Sequence, residues 1–186
     1  VESQLHRQLA SGLSMFIGFK NRTDGDIDIA VNAMISASDT HSFLGIDING
    51  KASIIHTNGN KNTCIVLRGD CVKGNNFHKN DIEETSLLLE KNNLNQSIII
   101  DTSHDNTLTD GKKNFKKQIE NCKYIGNEWK ISKNIIGLMI ESNINEGKQN
   151  IENKPLKYGI SITDGCIDLY DTFIILGELN NSLDGE

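Results

Sequence analysis

Four short apolar runs punctuate the chain, each ending on a reactive side chain and each followed by a stretch with helical spacing. Ser14-Met15-Phe16-Ile17-Gly18-Phe19 leads into Lys20, and Cys64-Ile65-Val66-Leu67 leads into Arg68. Ser97-Ile98-Ile99-Ile100 leads through Asp101 and Ser103 to His104, and Ile135-Ile136-Gly137-Leu138-Met139-Ile140 leads into Glu141. Runs without polar alternation mark parallel strands covered on both faces. Between them, apolar residues return every three or four positions, which predicts helices. Leu5 and Leu9 line a first helix over 2–10, stopped by Gly12, and Ile27, Val31, Met34 and Ile35 line a second over 27–37. Ile82, Leu88 and Leu89 face inward from a third over about 81–91, and Phe115, Ile119, Cys122 and Ile125 from a fourth. The last helix is expected to begin near Thr163-Asp164 and to bury Ile167, Tyr170, Phe173 and Ile174.

One segment breaks the alternation. Residues 42–48 and 52–56 flank Asn49-Gly50, a strong short-range hairpin signal. Taken together, the pattern predicts an α/β fold: the C-terminal half of a (β/α)₈ TIM barrel, with a β-hairpin inserted over about 42–56. A whole barrel of this kind needs about 250 residues, and this chain has 186. Residues 1–186 are therefore read as a single partial domain, the C-terminal part of a longer protein holding the last four β/α units. In such barrels the reactive groups gather where the strands end. Lys20, Arg68, His104 and Glu141 stand at those ends. The polar stretch 142–158 has the length of a loop that covers a site.

Composition narrows the partners. A formal charge of -6, a pI near 5.4 and 5% aromatic residues argue against a nucleic-acid surface. No apolar run reaches the ~20 residues that span a bilayer, and no secretory signal opens the chain, so the cytoplasm is expected. Cys64, Cys71, Cys122 and Cys166 lack C-x-x-C spacing and are expected reduced and partly buried. Asn, Ile and Lys are abundant, a bias read as compositional drift felt mostly at the surface. The stretches 74–76 and 92–95 are accordingly expected to be solvated loops.

Two sets of residues could carry chemistry. His104, Glu141 and Asp164 combine an imidazole with two carboxylates, a donor set suited to Mn²⁺, Fe²⁺, Co²⁺ or Zn²⁺ rather than Ca²⁺. Taken singly, His104 reads as a hydrogen-bonded core histidine and Asp164 as the cap of the final helix. Taken jointly, at strand ends, they read as ligands of a divalent metal. Lys20 and Arg68 form the second set. A cation in a barrel mouth is unfavourable unless it meets an anion, and Arg offers a planar fork to phosphate or carboxylate. The alternative is a pair of structural salt bridges with carboxylates such as Asp101.

These residues, in this order, resemble the class I 3-deoxy-D-arabino-heptulosonate 7-phosphate synthases, also called phospho-2-dehydro-3-deoxyheptonate aldolases. The resemblance rests on Glu2-Ser3-Gln4 with Ala10-Ser11-Gly12-Leu13-Ser14, Gly18-Phe19-Lys20-Asn21 with Thr23-Asp24-Gly25, and Leu67-Arg68-Gly69. It continues through Asp101 with Ser103-His104 and Asn106, Met139-Ile140-Glu141-Ser142, Glu146-Gly147 with Gln149, and Tyr158-Gly159 with Ser161-Ile162-Thr163-Asp164. The resemblance implies a (β/α)₈ barrel with an added hairpin. It also implies condensation of phosphoenolpyruvate with erythrose 4-phosphate, the first step of the shikimate route to chorismate and the aromatic amino acids. By resemblance, Lys20 and Arg68 are catalytic and bind phosphoenolpyruvate, with Asp101 in the substrate site. His104, Glu141 and Asp164 are then three of four metal ligands, the fourth being a cysteine upstream of Val1. An aromatic amino acid effector is implied near the hairpin, at Leu13, Ser14, Phe43, Gly45 and Ile55, although plain hairpin packing would also explain those residues. A homo-oligomer, dimer or tetramer, is implied as well.

Four positions depart from the pattern. Arg22 stands where Gly is common, and a turn requiring positive φ there would cost about 1 kcal/mol. Phe16 replaces a common Pro, Asp70 a common Gly, and Asp105 a small residue beside His104. Two rival readings are a different phosphoenolpyruvate-using barrel, such as the octulosonate phosphate synthase, and a non-catalytic half-barrel acting as a binding or assembly module. The hairpin around Asn49-Gly50 counts against the first.

Overall fold

Parallel pairing joins the four apolar runs into one sheet. The computed structural model describes residues 3–129 and 132–183. They run α1 (Gln4–Ser11), β1 (Ile17–Lys20), α2 (Asp28–Ser38), β2 (Ser42–Ile46), β3 (Ala52–His56), β4 (Thr63–Leu67) and α3 (Lys79–Lys91). Next come β5 (Ile98–Asp101), a 3₁₀ turn at His104–Thr107, a two-residue ribbon of β6 (Leu108–Thr109) and β7 (Lys112–Lys113), α4 (Lys117–Trp129), β8 (Ile135–Met139) and α5 (Leu169–Leu183). The sheet order is β1-β4-β5-β8, every pair parallel. Adjacent parallel strands need a crossover between them, and helices supply it here, which makes the fold α/β.

Alternation along the strands separates two faces. Phe19, Ile65, Leu67, Ile98 and Ile100 point to the helix-covered side, where they meet Val31, Met34, Ile82, Leu89 and Ile125 in one core. Central β4 is buried at all five positions, whereas β1 and β8, at the sheet edges, are only partly covered. Met15 and Phe16, expected in the first strand, are exposed and precede it, because β1 begins only at Ile17. A second core of Cys122, Ile167, Ile175 and Leu179 joins α4 to α5. No helix among the described residues is long and apolar enough to cross a membrane.

The hairpin forms where the sequence predicts it, with Phe43 opposite Ile55 and Ile46 opposite Ala52. Its connection is longer than a two-residue turn. Asp47 N–H donates to Lys51 O, Gly50 N–H donates to Asp47 O, and Gly50 alone takes positive φ. Asp47 Oδ1 accepts from the N–H groups of Asn49 and Lys51, which stabilises this wider loop.

The expected bounds of the first and last helices need correction. The first helix starts at Gln4, and Glu2 lies outside the described residues. The last helix starts at Leu169, not near Asp164. Asp168 rather than Asp164 turns the chain into it, accepting from Asp171 N–H at 2.8 Å. Its inward stripe is Ile175 and Leu179, while Tyr170 and Phe173 are 73% and 71% exposed. Ile167 is buried but ends the preceding loop, where its N–H donates to Glu141 O. Arg22 does not adopt positive φ, so the replacement of Gly there carries no backbone penalty.

Candidate active site

Lys20, Arg68, Asp101 and Glu141 follow one another around the C-terminal edge of the sheet. Lys20 pairs in register with Val66, Arg68 follows the end of β4, and Asp101 pairs with Met139 two residues before Glu141. At the end of β5 the chain turns sharply, because Asp101 Oδ1 accepts from Ser103 N–H at 3.0 Å. His104 then adopts φ of 50°, a left-handed conformation uncommon for residues other than Gly, although His, like Asn and Asp, enters it more often than most. Neighbours hold it there: Asp105 N–H donates to Arg68 O, and Thr107 Oγ1 donates to His104 O at 2.8 Å.

The fully buried Asp101 carboxylate is the hub. Lys20 Nζ donates to its Oδ2 at 2.6 Å, and His104 Nδ1 lies 2.8 Å from the same oxygen. The imidazole contact is close but poorly aligned, so Nδ1 is a buried nitrogen without a well-directed partner. Burial alone would push the Asp101 carboxyl up, but the His104 and Lys20 contacts outweigh it and hold the group below its ordinary value.

On its other side His104 turns Nε2 to within 3.8 Å of Glu141 Oε1. Ser103 Oγ donates to Glu141 Oε2 at 2.5 Å. Gln118 brackets the Glu141 backbone, accepting from its N–H at 2.8 Å and donating to its C=O at 3.2 Å. Asp164 arrives from the long loop, which folds back over the strand end through bridges Ser142–Ile167 and Gly147–Cys166. One donor atom each from His104, Glu141 and Asp164 lies within 4.8 Å of the others. All three line a cavity of about 200 Å³ that Lys113 and Lys148 also border. One nitrogen and two carboxylate donors at this separation fit a divalent transition metal.

Arg68 is enclosed, its side chain 13% exposed, and it faces Asp105 rather than Asp101. Nη1 lies 3.2 Å from Asp105 Oδ2, and Lys113 Nζ lies 3.2 Å from the other oxygen, Oδ1. Gly69 lets this arrangement form. Its φ is +87°, and a Cβ there would fall 2.4 Å from Asn106 N and 2.5 Å from Asp105 C, both immovable backbone atoms.

Buried asparagines lock these loops together, and composition hides them. Asn21 Oδ1 accepts from Arg68 N–H, while its amide donates to Gly69 O and Arg22 O. Asn76 Oδ1 accepts from Gly69 N–H, and Asn76 N–H donates to Asn106 Oδ1. Asn106 donates to Leu67 O and Asp101 O, and Asn121 to Thr102 O and Asn106 O. Asn76 is thus a buried tie, not part of a solvated loop. The usable signal was position, since Asn21 directly follows a strand end and Asn106 closes the turn after His104.

A separate cavity of about 460 Å³ lies between α1, the 12–14 segment and the hairpin. Leu13, Ser14, Phe43 and Ile55 line it, together with His56 and Thr57. Gly45 does not line it but makes room for a residue that does: a Cβ there would meet Ile55 Cγ1 at 2.6 Å.

Comparison with known proteins identifies the family. A family model described as the DAHP synthetase I family matches residues 1–176. The Tyr-sensitive phospho-2-dehydro-3-deoxyheptonate aldolase of Escherichia coli (strain K12) is 39% identical over 188 residues, covering 100% of this chain and 51% of that protein. The phenylalanine-inhibited phospho-2-dehydro-3-deoxyheptonate aldolase of Saccharomyces cerevisiae is 45% identical over 184 residues, covering 94% and 48%. A solved phospho-2-dehydro-3-deoxyheptonate aldolase from Francisella tularensis superposes with a TM-score of 0.90 at 43% identity, covering 98% of this chain and 52% of that one. The chain spans about half the length of the curated relatives it matches. It belongs to the DAHP synthetase I family.

Proposed function

We propose that this chain carries the metal and phosphoenolpyruvate side of a phospho-2-dehydro-3-deoxyheptonate aldolase. The reaction joins phosphoenolpyruvate to erythrose 4-phosphate, giving 3-deoxy-D-arabino-heptulosonate 7-phosphate and phosphate. The four parallel strands would be the last four of a (β/α)₈ barrel, with β2 and β3 as its inserted hairpin and residues 1–186 as one partial domain. What supports the reading is the convergence of His104, Glu141 and Asp164 within 4.8 Å beside the Lys20–Asp101 pair. Activity belongs to the full-length protein in this reading, and the cytoplasm is its compartment.

The roles follow from the contacts. Lys20 and Arg68 bind the phosphate and carboxylate of phosphoenolpyruvate, and Asp101 positions Lys20 and His104. Ser103 and Gln118 aim Glu141. His104, Glu141 and Asp164 would hold Mn, Fe, Co or Zn, which when bound supplies Lewis-acid polarisation of the aldehyde oxygen. Holding two reactants in attack geometry can lower a barrier by about 7–11 kcal/mol at best, and the asparagine network provides the necessary rigidity. The cavity lined by Leu13, Ser14, Phe43 and Ile55, shaped indirectly by Gly45, is proposed to take an aromatic amino acid effector. Leu44, Ile46 and Ile54 on one face of the hairpin are exposed, as is Ile48 in its connecting loop, which fits a homo-oligomer, dimer or tetramer.

Phosphoenolpyruvate consumption by the full-length protein, with erythrose 4-phosphate and Mn²⁺, tests the proposal. Product formation that disappears in Lys20→Ala and Glu141→Ala is the expected result. No product from intact, folded protein overturns it, and turnover by residues 1–186 alone would overturn the full-length requirement.

A further inference from the structure

Asp105 places a carboxylate between Arg68 and Lys113. Its two carboxylate oxygens are divided between two cations, Oδ2 on Arg68 Nη1 and Oδ1 on Lys113 Nζ, each at 3.2 Å. The Asp105 and Arg68 side chains are only 5% and 13% exposed, while Lys113 remains half-exposed. A carboxylate presents two oxygens much as one edge of a phosphate does, and both suit a guanidinium fork. The Asp105 backbone is anchored by its N–H on Arg68 O. Only side-chain rotation therefore separates a state in which Asp105 covers Arg68 from one in which the cation is open.

We propose that Asp105 is a tethered competitor for the Arg68 anion site, so that phosphate or carboxylate enters only by displacing it. The inference rests on the reading of Arg68 as an anion-binding residue and adds a regulator internal to that site. Tethering keeps the competing carboxylate at high effective concentration. An incoming anion must also approach a site carrying a fixed negative charge. The apparent affinity is reduced by the fraction of time the cation is open. Lys113, reaching the same carboxylate from the cavity rim, can draw Asp105 aside without leaving it unpaired.

Inorganic phosphate and phosphoenolpyruvate, titrated calorimetrically into the full-length protein without metal, test this. Asp105→Ser is expected to bind either ligand about ten-fold tighter than the parent, with Asp105→Asn intermediate. The gain should vanish in Asp105→Ser/Arg68→Ala. Without phosphate, Asp105→Ser should melt below the parent, and phosphate should restore the loss by taking the vacated place between Arg68 and Lys113. If Asp105→Ser does not fold, the near-isosteric Asp105→Asn carries the comparison. Arg68-dependent binding with equal affinity in the parent and both Asp105 variants overturns the competitor and leaves the anion site standing. Tighter binding that survives Arg68→Ala also overturns it, as a general charge effect. If no variant shows Arg68-dependent binding, the anion-site reading fails and this inference fails with it.

Discussion

Lys20 Nζ and Asp101 Oδ2 meet at 2.6 Å although 81 residues separate them in the chain. The contact spans β1 and β5 across the intervening end of β4, so it forms only when three strands are assembled. Asp101 is fully buried, while the Lys20 side chain is 33% exposed. Removing one partner of a buried ion pair costs about 3–5 kcal/mol. Partial exposure of Lys20 reduces this through solvent screening, so Lys20→Ala should cost about 2 kcal/mol. Urea denaturation of parent and variant measures it, and an unchanged midpoint would show that the pair adds nothing to stability.

Ser103 orients Glu141 through a 2.5 Å hydrogen bond. A partner that aims a metal ligand is typically worth 10–100-fold in affinity. With Glu141 as the proposed metal ligand, Ser103→Ala is expected to weaken Mn²⁺ or Zn²⁺ binding by about that factor. The melting temperature of the metal-free protein should move little. Calorimetric titration of the metal checks this, and undiminished affinity would mean that Glu141 needs no orienting group.

Acid should expose the contribution of Asp70. The N–H groups of Lys73 and Val72 both donate to its Oδ1 and hold the carboxyl below its ordinary value, against the opposing effect of burial. A depressed carboxyl contributes stability that is complete above its unfolded value, near ~3.9, and is lost as pH falls through the lower folded value. Asp70→Asn should therefore be less stable than the parent at pH 6, and the gap should close as the pH drops below about 4. Thermal melts across this range provide the comparison, and a constant gap would contradict it.

Thiol chemistry should single out Cys71. Burial pushes Cys64 and Cys122 up to about 11, and burial raises Cys166 as well, whereas Cys71 is exposed. At pH 8 a thiol of that kind is only about 0.1% thiolate, the reactive form. In the native protein a maleimide should label Cys71 first, and denaturant should release the other three. Rapid native labelling of Cys122 would contradict the packing between α4 and α5.

The strands were legible because local chemistry suffices for them. β4 is apolar at all but one position and lies at the centre of the sheet, so Cys64 to Leu67 reads as buried without knowledge of its neighbours. The hairpin was legible for a similar reason, since apolar flanks and an Asn-Gly pair act within a few residues. The last helix misled because Ile167, Tyr170, Phe173 and Ile174 also fit an inward stripe. Only the anchoring of Ile167 to Glu141, and of the helix start to Asp168, rotates Ile175 and Leu179 inward instead. Asn21, Asn76, Asn106 and Asn121 could not be separated from the many other asparagines, because an amide has the same composition signal whether it ties two loops or meets water.

Residue order and hydropathy alone were enough for an α/β chain with four parallel strands and reactive groups at their ends, since strand burial and side-chain alternation are short-range properties. Assembly decided which groups meet. Sheet order puts β5 beside β8 and so His104 beside Glu141, and the folded-back loop brings Asp164 to them. Assembly also gave Arg68 to Asp105 and Lys20 to Asp101. Charge pairing depends on distances of a few ångströms, and those distances are created by packing between segments far apart in the chain.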